Sequence, residues 1–269
     1  MSSSPGTILG GRFMLGGTQI ARFETGEVRL ARDLLASDRP IQVTTAIRTP
    51  EGFGRSREAL EAAASGGHVH PHILAVLGSG EEPGMAWIAT DWSEIGSLRD
   101  WLERHGRLEP AEAIRCARQM LAALAHVHDQ GAVHGNLAPS RVLLDAAGNP
   151  WITDFPERDL LESSGGAMVI TAAYAAPARI EGGAADAAGD LWAVGVILYE
   201  MLTGERPFGG TSFGTIRRKV LTATPLPPSH LAPLPAAFDT LLARALARDP
   251  AARFPDARAF DAVLAATVP

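Results

Sequence analysis

The pattern of apolar residues changes its period near Gly96, and this change constrains the fold more than any other feature of the sequence. Before Gly96, residues 26–33 alternate apolar and polar positions and residues 40–47 are rich in β-branched side chains, as half-buried strands are. After it, residues 110–130 place apolar side chains on one helical face, and residues 190–204 are apolar nearly all round. The sequence therefore predicts a smaller strand-rich part followed by a larger helical part.

Further elements fit this division. We predict a helix over residues 51–64 and strands over residues 73–79 and 85–92, with a glycine and proline turn between the two strands. The helix that starts at Pro110 is predicted to end at Gly131, since proline favours the first helical turn and glycine the end of a helix. The proline-rich residues 224–235 are interpreted as a loop between helices, with a polyproline ligand as the alternative.

Composition excludes several classes of function. The net charge of -6 and the pI near 5.8 argue against a nucleic-acid partner or an anionic membrane surface. Cys116 is the only cysteine, so an internal disulfide is excluded and a reducing compartment is favoured. We find no apolar run of membrane-spanning length, so no membrane insertion is expected. Because Lys219 is the only lysine, every other site that requires a lysine must be empty.

Histidines occur in two groups. His68, His70 and His72 are interpreted as part of a turn rather than as metal ligands. His128 and His134 are expected to have core or capping roles, together with His126 near the end of the predicted helix. Neither a metal nor a cofactor is predicted.

One segment resembles a known catalytic loop. Residues 134–144 (HGNLAPSRVLL) resemble the HRDLKPxNVLL loop of protein kinases, and residues 153–156 (TDFP) resemble the magnesium-binding DFG segment. Other segments match kinase landmarks in the correct order: residues 70–73 (HPHI), 96–98 (GSL), 174–177 (YAAP), 190–195 (DLWAVG), 202–208 (LTGERPF) and 249–254 (DPAARF). The chain thus resembles the bacterial serine/threonine protein kinases.

The resemblance implies an α+β, two-lobed protein-kinase-like fold. A small antiparallel β N-lobe with one helix is expected over residues 1–92, and a larger, mainly helical C-lobe over residues 93–269. Kinase N-lobes of this bacterial group often pair back to back, so the resemblance also suggests a homodimer.

The nucleotide-binding positions of the family have changed. The segment from Ala21 to Gly26 replaces the glycine-rich loop and keeps only its last glycine, while Phe23 brings bulk towards the place of the phosphates. The lysine of the third strand is replaced by Thr44, or by Arg48 in a shifted register. With these substitutions the cleft is predicted to be vestigial, its positions being Ala21, Phe23, Gly26, Thr44, Arg48 and Thr90.

The catalytic loop has changed as well. Asn136 replaces the aspartate that accepts the substrate proton, and a neutral amide is not a base. Ala138 replaces a phosphate-binding lysine, and Arg141 replaces the magnesium-binding asparagine. Asp154 is retained, and we predict that Arg141 forms a salt bridge with it in place of the ion. These losses together predict that the chain is not an enzyme.

Other departures from the family pattern concern regulation. Gly135 replaces an arginine of the catalytic loop, and Pro156 replaces the glycine of DFG. Ala178 replaces the glutamate after the YAAP segment, which is expected to leave Arg253 without its usual buried partner. Asp190 is intact and is expected to hold the helical lobe together.

The favoured function is a pseudokinase in bacterial signalling that regulates or scaffolds by binding another protein, an active kinase or its target. One alternative is a nucleotide-sensing switch that does not need magnesium. A less favoured alternative is an enzyme with altered chemistry in the kinase cleft. The expected location is the cytoplasm, either as a free protein or as the cytoplasmic domain of a longer membrane protein.

Overall fold

The computed structural model describes residues 4–23, 26–47, 68–82, 85–153 and 172–267. These residues divide into two compact units, here called the N-lobe (the described residues up to 70, and 74–93) and the C-lobe (residues 71–73, 94–153 and 172–267). The helix predicted over residues 51–64 lies outside the described residues, as do Arg48 and Asp154.

The N-lobe is built on one antiparallel sheet. Its strands are β1 (Ile8–Leu9), β2 (Phe13–Phe23), β3 (Gly26–Asp33), β4 (Arg39–Ile47), β5 (Val76–Glu82) and β6 (Met85–Asp91), in the spatial order β1-β2-β3-β4-β6-β5. The strands predicted over residues 26–33, 40–47 and 85–92 are confirmed. Strand β2 escaped prediction because register shifts on either side of Gln19 interrupt its alternation.

The strand predicted over residues 73–79 instead spans Val76–Glu82. Ile73 belongs to the C-lobe, where it forms an isolated parallel bridge with Ile152. The glycines of β5 have a packing reason, since a Cβ on Gly78 or Gly80 would lie 2.8 or 2.7 Å from the rings of Phe13 or Trp87, respectively. Glycine therefore lets β5 lie against these aromatic rings of the N-lobe core, whose members are Leu9, Phe13, Leu15, Ala31, Ile41, Val43, Trp87 and Ala89.

The C-lobe is mainly helical. Its elements are α1 (Leu98–His105), α2 (Pro110–Asp129), β7 (Val142–Leu144), β8 (Pro150–Ile152), α3 (Pro177–Ile180), α4 (Ala187–Thr203), α5 (Phe213–Thr222), α6 (Ala237–Ala245) and α7 (Ala257–Ala266). Helix α4 is buried along nearly its whole length, as its apolar sequence predicts. No helix in the described ranges is long and apolar enough to cross a membrane.

The helix boundaries follow the signals in the sequence. Helix α2 begins at Pro110 and ends at Asp129, and Gly131 follows with φ of 74°, as predicted. Asp186 caps α4 by accepting a hydrogen bond from the Gly189 N–H at 2.7 Å. Residues 224–235 connect α5 to α6 with a short 3-10 turn at Pro228–His230, so the loop interpretation is confirmed.

Candidate functional site

In the N-lobe, the described residues of the segment that replaces the glycine-rich loop are paired as strands. Phe23 at the end of β2 pairs with Gly26 at the start of β3. Ala21 pairs with Val28 in the same ladder. From Ala21 to Phe23 the backbone is therefore part of strand β2 and is paired with β3.

Strand β4 carries the position of the missing lysine. Thr44 is half-buried and pairs with Val28 of β3 and with Ile88 of β6. In the adjacent row, Gln42 pairs with the buried Thr90. Cross-strand partners share a sheet face and residues two apart on a strand do too, so Thr44 and Thr90 lie on the same face. The side chains brought together are neutral, and none of them supplies the charge of a lysine.

In the C-lobe, the candidate catalytic loop follows α2 and is held by Asp190 of α4. The buried Asp190 carboxylate accepts the backbone N–H groups of His134 at 2.8 Å and Gly135 at 2.7 Å. His128 of α2 lies with its Nε2 2.9 Å from the same carboxylate. Three donors on one buried carboxylate give the expected structural role of Asp190 a physical basis.

The side chain of His134 also holds the loop, through contacts with Asn136 and Thr153. Its Nδ1 accepts the Asn136 N–H at 3.2 Å, and its Nε2 lies 2.9 Å from the carbonyl oxygen of Thr153. These two contacts orient the imidazole between the loop backbone and Thr153. The structural roles expected for His128 and His134 are confirmed.

Gly135 lies between these anchors with φ of 70°. This left-handed conformation is costly for a residue with a Cβ and favours glycine. Glycine at position 135, where the family has an arginine, therefore lowers the conformational energy of the backbone at this point of the loop.

The substituted residues are close together. Arg141 turns back on the loop, and its Nη1 donates to the carbonyl oxygen of Asn136 at 2.7 Å. The backbone N–H of Arg141 donates to the carbonyl oxygen of Ala138 at 2.9 Å, and the carbonyl oxygen of Arg141 accepts the Thr153 N–H at 2.9 Å. Ala138 is fully buried, whereas Asn136 and Arg141 are half-buried. The predicted salt bridge between Arg141 and Asp154 lies outside the described residues and stays a prediction.

A buried charge cluster that sequence analysis missed joins α1, α4 and the YAAP segment. Arg99 donates to both carboxylate oxygens of Glu200, at 3.0 and 3.1 Å, and the Tyr174 hydroxyl donates to Glu200 at 2.5 Å. Arg99 also donates to the Tyr174 hydroxyl oxygen. Burial and the neighbouring Glu200 raise the pKa of Tyr174. The signal in the sequence was Glu200, the only glutamate in the mostly apolar helix α4.

Arg253 has an alanine at position 178 where the family pattern has its glutamate partner. Its guanidinium donates instead to the carbonyl oxygens of Ala247 at 2.6 Å and Arg248 at 2.9 Å. It also lies over the Trp192 ring, 4.9 Å from the centroid. Burial lowers its pKa. Backbone carbonyls and an aromatic face thus take the place of a carboxylate.

Two remaining sequence interpretations concern reactive side chains. Cys116 is buried in α2, and this burial raises the pKa of its thiol to about 12, so it is an inert core residue. Within the described ranges, no three His, Cys, Asp or Glu side chains cluster in a way that suits a metal ion.

Comparison with known proteins identifies the family. Residues 55–263 match the model of the protein kinase domain. The chain is 33% identical over 243 residues to the serine/threonine-protein kinase PknB of Mycobacterium tuberculosis, covering 85% of this chain and 38% of PknB. It is 31% identical over 207 residues to PrkC of Bacillus subtilis, covering 75% of this chain and 32% of PrkC. PknJ of M. tuberculosis is 32% identical over 256 residues, covering 90% of this chain and 43% of PknJ.

These relatives overturn one prediction. The substitutions in the loop led us to expect that the chain is not an enzyme, yet relatives that match most of it are named serine/threonine-protein kinases, which points to an enzyme. The prediction failed because it weighed single side chains above the similarity of the whole domain.

The chain spans between about a third and two fifths of the length of these relatives. Fold, motif order and family match agree: the chain belongs to the protein kinase family.

Proposed function

We propose that this kinase-family domain regulates or scaffolds bacterial signalling in the cytoplasm by binding another protein. Its partner is an active kinase or a target of one, and the domain works alone or as the cytoplasmic part of a longer membrane protein. One observation carries the proposal. Asp190 and His134 hold the backbone of the catalytic loop by hydrogen bonds, while Asn136 and Ala138 replace the proton acceptor and the phosphate-binding lysine of the family pattern.

An exposed apolar patch in the N-lobe supports a protein-binding role. Leu35 in the turn between β3 and β4 is 77% exposed, and Leu34 beside it is 36% exposed. The turn is anchored at two points. The Leu34 N–H donates to the carbonyl oxygen of Arg12 at 3.0 Å, and the Arg12 guanidinium pairs with the buried Asp33 carboxylate. An apolar side chain held in a firm turn loses little entropy on binding. We propose that a second copy of the chain binds here.

Self-association tests this patch. Light scattering over a range of concentrations should give a dimer for the natural chain and a monomer for Leu35→Asp, because the charge would be buried at the interface. Val69→Asp is the matched control, since Val69 is 87% exposed in the same lobe and should leave the mass unchanged. A natural chain that stays monomeric, or a Val69→Asp chain that dissociates equally, contradicts the dimer.

The regulatory role needs a second measurement. The rate of an active serine/threonine kinase from the same cell is measured with and without the domain. We expect the domain to change that rate, and the Leu35→Asp variant to change it less if the patch is used. A kinase whose rate and complex formation are unaffected by the domain contradicts the regulatory proposal.

Phosphoryl transfer to a protein hydroxyl is the second candidate function, and the names of the relatives favour it. With an amide at Asn136, transfer would depend on positioning and charge alone, so Asn136→Asp is expected to raise the rate by supplying a base. Asn149→Asp makes the same chemical change in the turn between β7 and β8 and serves as the control. Label incorporation that stays at background for both variants and the natural chain contradicts this candidate.

A further inference from the structure

Positive charge is concentrated in one segment of the C-lobe. Residues 206–238 contain four arginine or lysine residues and neither aspartate nor glutamate, whereas the whole chain has a net charge of -6. Three of the four are consecutive on helix α5, namely Arg217, Arg218 and Lys219. A local basic surface on an acidic protein attracts a negatively charged partner to that surface and not to the rest of the molecule.

The two arginines lie on the outer side of α5. Ile216 and Val220, one helical turn apart, are fully buried and fix the inner side of the helix. Arg217 and Arg218 are exposed, and Gly214, one turn earlier, has nothing within 4 Å of the position of an added Cβ. A partner can therefore approach both guanidinium groups along one face of the helix.

Exposed arginines elsewhere in the C-lobe pair with carboxylates of the chain. Arg118 of α2 binds Asp261 of α7 at 2.7 Å, and Arg258 of α7 pairs with Asp129 of α2. The two arginines of α5 differ, since within the described residues their guanidinium groups form neither an ion pair nor a hydrogen bond. No described carboxylate of the chain neutralises the charge that they present.

The other two basic residues of the segment serve the fold. The Lys219 Nζ donates to the carbonyl oxygen of Gly209 at 2.6 Å, which ties α5 to the loop before it. The Arg206 Nε lies 4.0 Å from the buried carboxylate of Glu200. The charge that a partner can use is therefore that of the two exposed arginines of α5.

An extended segment follows α5 and adds an apolar side chain. Leu226 is 59% exposed and lies in residues 223–227, here called the strap. The strap begins with extended backbone at Ala223, with φ of -86° and ψ of 144°. The Tyr199 hydroxyl donates to the carbonyl oxygen of Leu226 at 3.0 Å, and the Arg248 guanidinium donates to that of Ala223. A segment held by such bonds loses little further entropy when it binds a partner.

We infer that the exposed face of α5 and the strap, together called the α5 surface, bind an acidic segment of another protein. Two carboxylates of that segment pair with Arg217 and Arg218, because the fork of a guanidinium binds a carboxylate with two hydrogen bonds. An apolar side chain beside them packs on Leu226, since the strap starts directly after the helix. This inference rests on the proposed protein-binding function and adds a surface in the C-lobe to the apolar turn of the N-lobe.

An acidic protein segment suits this surface better than a nucleic acid or an anionic membrane. Both of those present a long array of negative charge, which the net negative charge of the chain repels. A short segment needs only the two guanidinium groups. The exposed Leu226 favours an apolar side chain over a phosphate backbone.

Fluorescence anisotropy with labelled peptides and the full chain tests the inference. The probe is a short peptide of glutamates around one leucine, and its matched control has glutamine in place of every glutamate. We expect the glutamate peptide to bind at low ionic strength and the glutamine peptide to bind much more weakly. Added salt should weaken the glutamate peptide, because exposed charges are screened. An RNA oligonucleotide and vesicles that contain anionic lipid are measured alongside.

Charge variants assign the effect to α5. Arg217→Gln combined with Arg218→Gln removes both guanidinium groups and should weaken the glutamate peptide by about tenfold or more. Arg32→Gln combined with Arg107→Gln is the matched control, because both residues are exposed and the net charge changes by the same amount. This control should bind within about twofold of the natural chain. The melting temperature of each variant shows whether it is folded.

A second pair of variants tests the strap. Leu226→Ser should weaken the glutamate peptide by about threefold to tenfold, because the peptide's leucine loses its apolar contact. Val263→Ser makes a similar change at a residue of α7 that is 40% exposed, and it should leave the affinity unchanged.

Several results would overturn the inference. These are equal binding of the glutamate and glutamine peptides, no binding to the folded natural chain, equal weakening in the two double variants, or equal weakening in the two serine variants. RNA or vesicles that bind more tightly than the peptide and lose this binding in the α5 double variant would also overturn it.

Failure here can be told apart from failure of the proposed function. If the peptide does not bind but the domain still changes the rate of an active kinase, only the α5 surface is removed. If the peptide binds but the domain neither binds nor affects a kinase, the regulatory proposal fails and the acidic-segment site remains.

Discussion

Two groups of residues at the catalytic loop differ in how far they keep the family pattern. The anchoring residues (His128, His134 and Asp190) form hydrogen bonds that hold the backbone of the loop. The substituted residues (Asn136, Ala138 and Arg141) stand at the proton-accepting, phosphate-binding and magnesium-binding positions of the family pattern. A kinase loop can therefore keep its shape while its ligand-facing chemistry changes, because the shape depends on buried contacts beneath the loop.

The largest effect should come from Asp190. Asp190→Ala leaves the N–H groups of His134 and Gly135 buried without their acceptor, so we expect the free energy of unfolding to fall by about 3–5 kcal/mol. Denaturant unfolding measures it. Asp261→Ala is the control, since its pair with Arg118 is exposed and is expected to matter by less than about 1 kcal/mol. Equal losses in the two variants would contradict the anchoring role.

Glu200 extends the comparison to the YAAP segment. Glu200→Gln removes the charge that Arg99 and Tyr174 share, and a loss of about 2–4 kcal/mol in unfolding free energy is expected. Glu103→Gln, on the exposed side of the same arginine, should change stability by less than about 0.5 kcal/mol. If Glu200→Gln melts like the natural protein, the cluster is not a structural anchor.

Gly135 lies between the anchoring residue His134 and the substituted residue Asn136, and its backbone conformation can be tested by mutation. Gly135→Ala places a Cβ in the left-handed region and should cost about 1–2 kcal/mol. Gly214→Ala in α5 is the matched change, because nothing lies within 4 Å of its added Cβ and the residue is helical. It should stabilise by about 0.5–1 kcal/mol. Effects of the same sign would contradict the conformational argument.

Arg141 tests how much a substituted residue contributes to stability. Arg141→Asn loses the bond to Asn136 and should lower the unfolding free energy by only about 1 kcal/mol, without raising phosphoryl transfer. Combining it with Asp154→Asn measures whether the two side chains form the predicted pair. A coupling energy above about 0.5 kcal/mol supports the pair, and strict additivity removes it.

The smallest effect concerns pH and the turn after the loop. Burial would raise the pKa of Asp145, but hydrogen bonds from Asn149 and Ala147 outweigh it, and the pKa is lowered. A carboxyl with a lowered folded pKa adds stability above its ordinary pKa of about 4 and loses it as pH falls through the folded value. The melting-temperature difference between the natural chain and Asp145→Asn should therefore shrink below about pH 4. A difference that does not change with pH contradicts this.

The sequence determined much of the architecture. Alternation in residues 26–33 and the all-round apolar pattern of residues 190–204 predicted a strand and a buried helix, because burial selects side chains with the period of each element. The order of the motifs predicted the kinase fold, which the family match confirms. The residue types at positions 136, 138 and 141 are also plain from the sequence, since they need only alignment to a pattern.

Only the tertiary structure decided how buried charges are satisfied. Arg99 and Glu200 are 101 positions apart, and no local pattern links two residues at that separation. Arg253 was expected to lack its usual carboxylate partner, and it donates instead to backbone carbonyls, which every residue carries and no sequence motif marks. Sequence periodicity reports which side chains are buried, but hydrogen-bond partners depend on where distant segments meet in the folded chain.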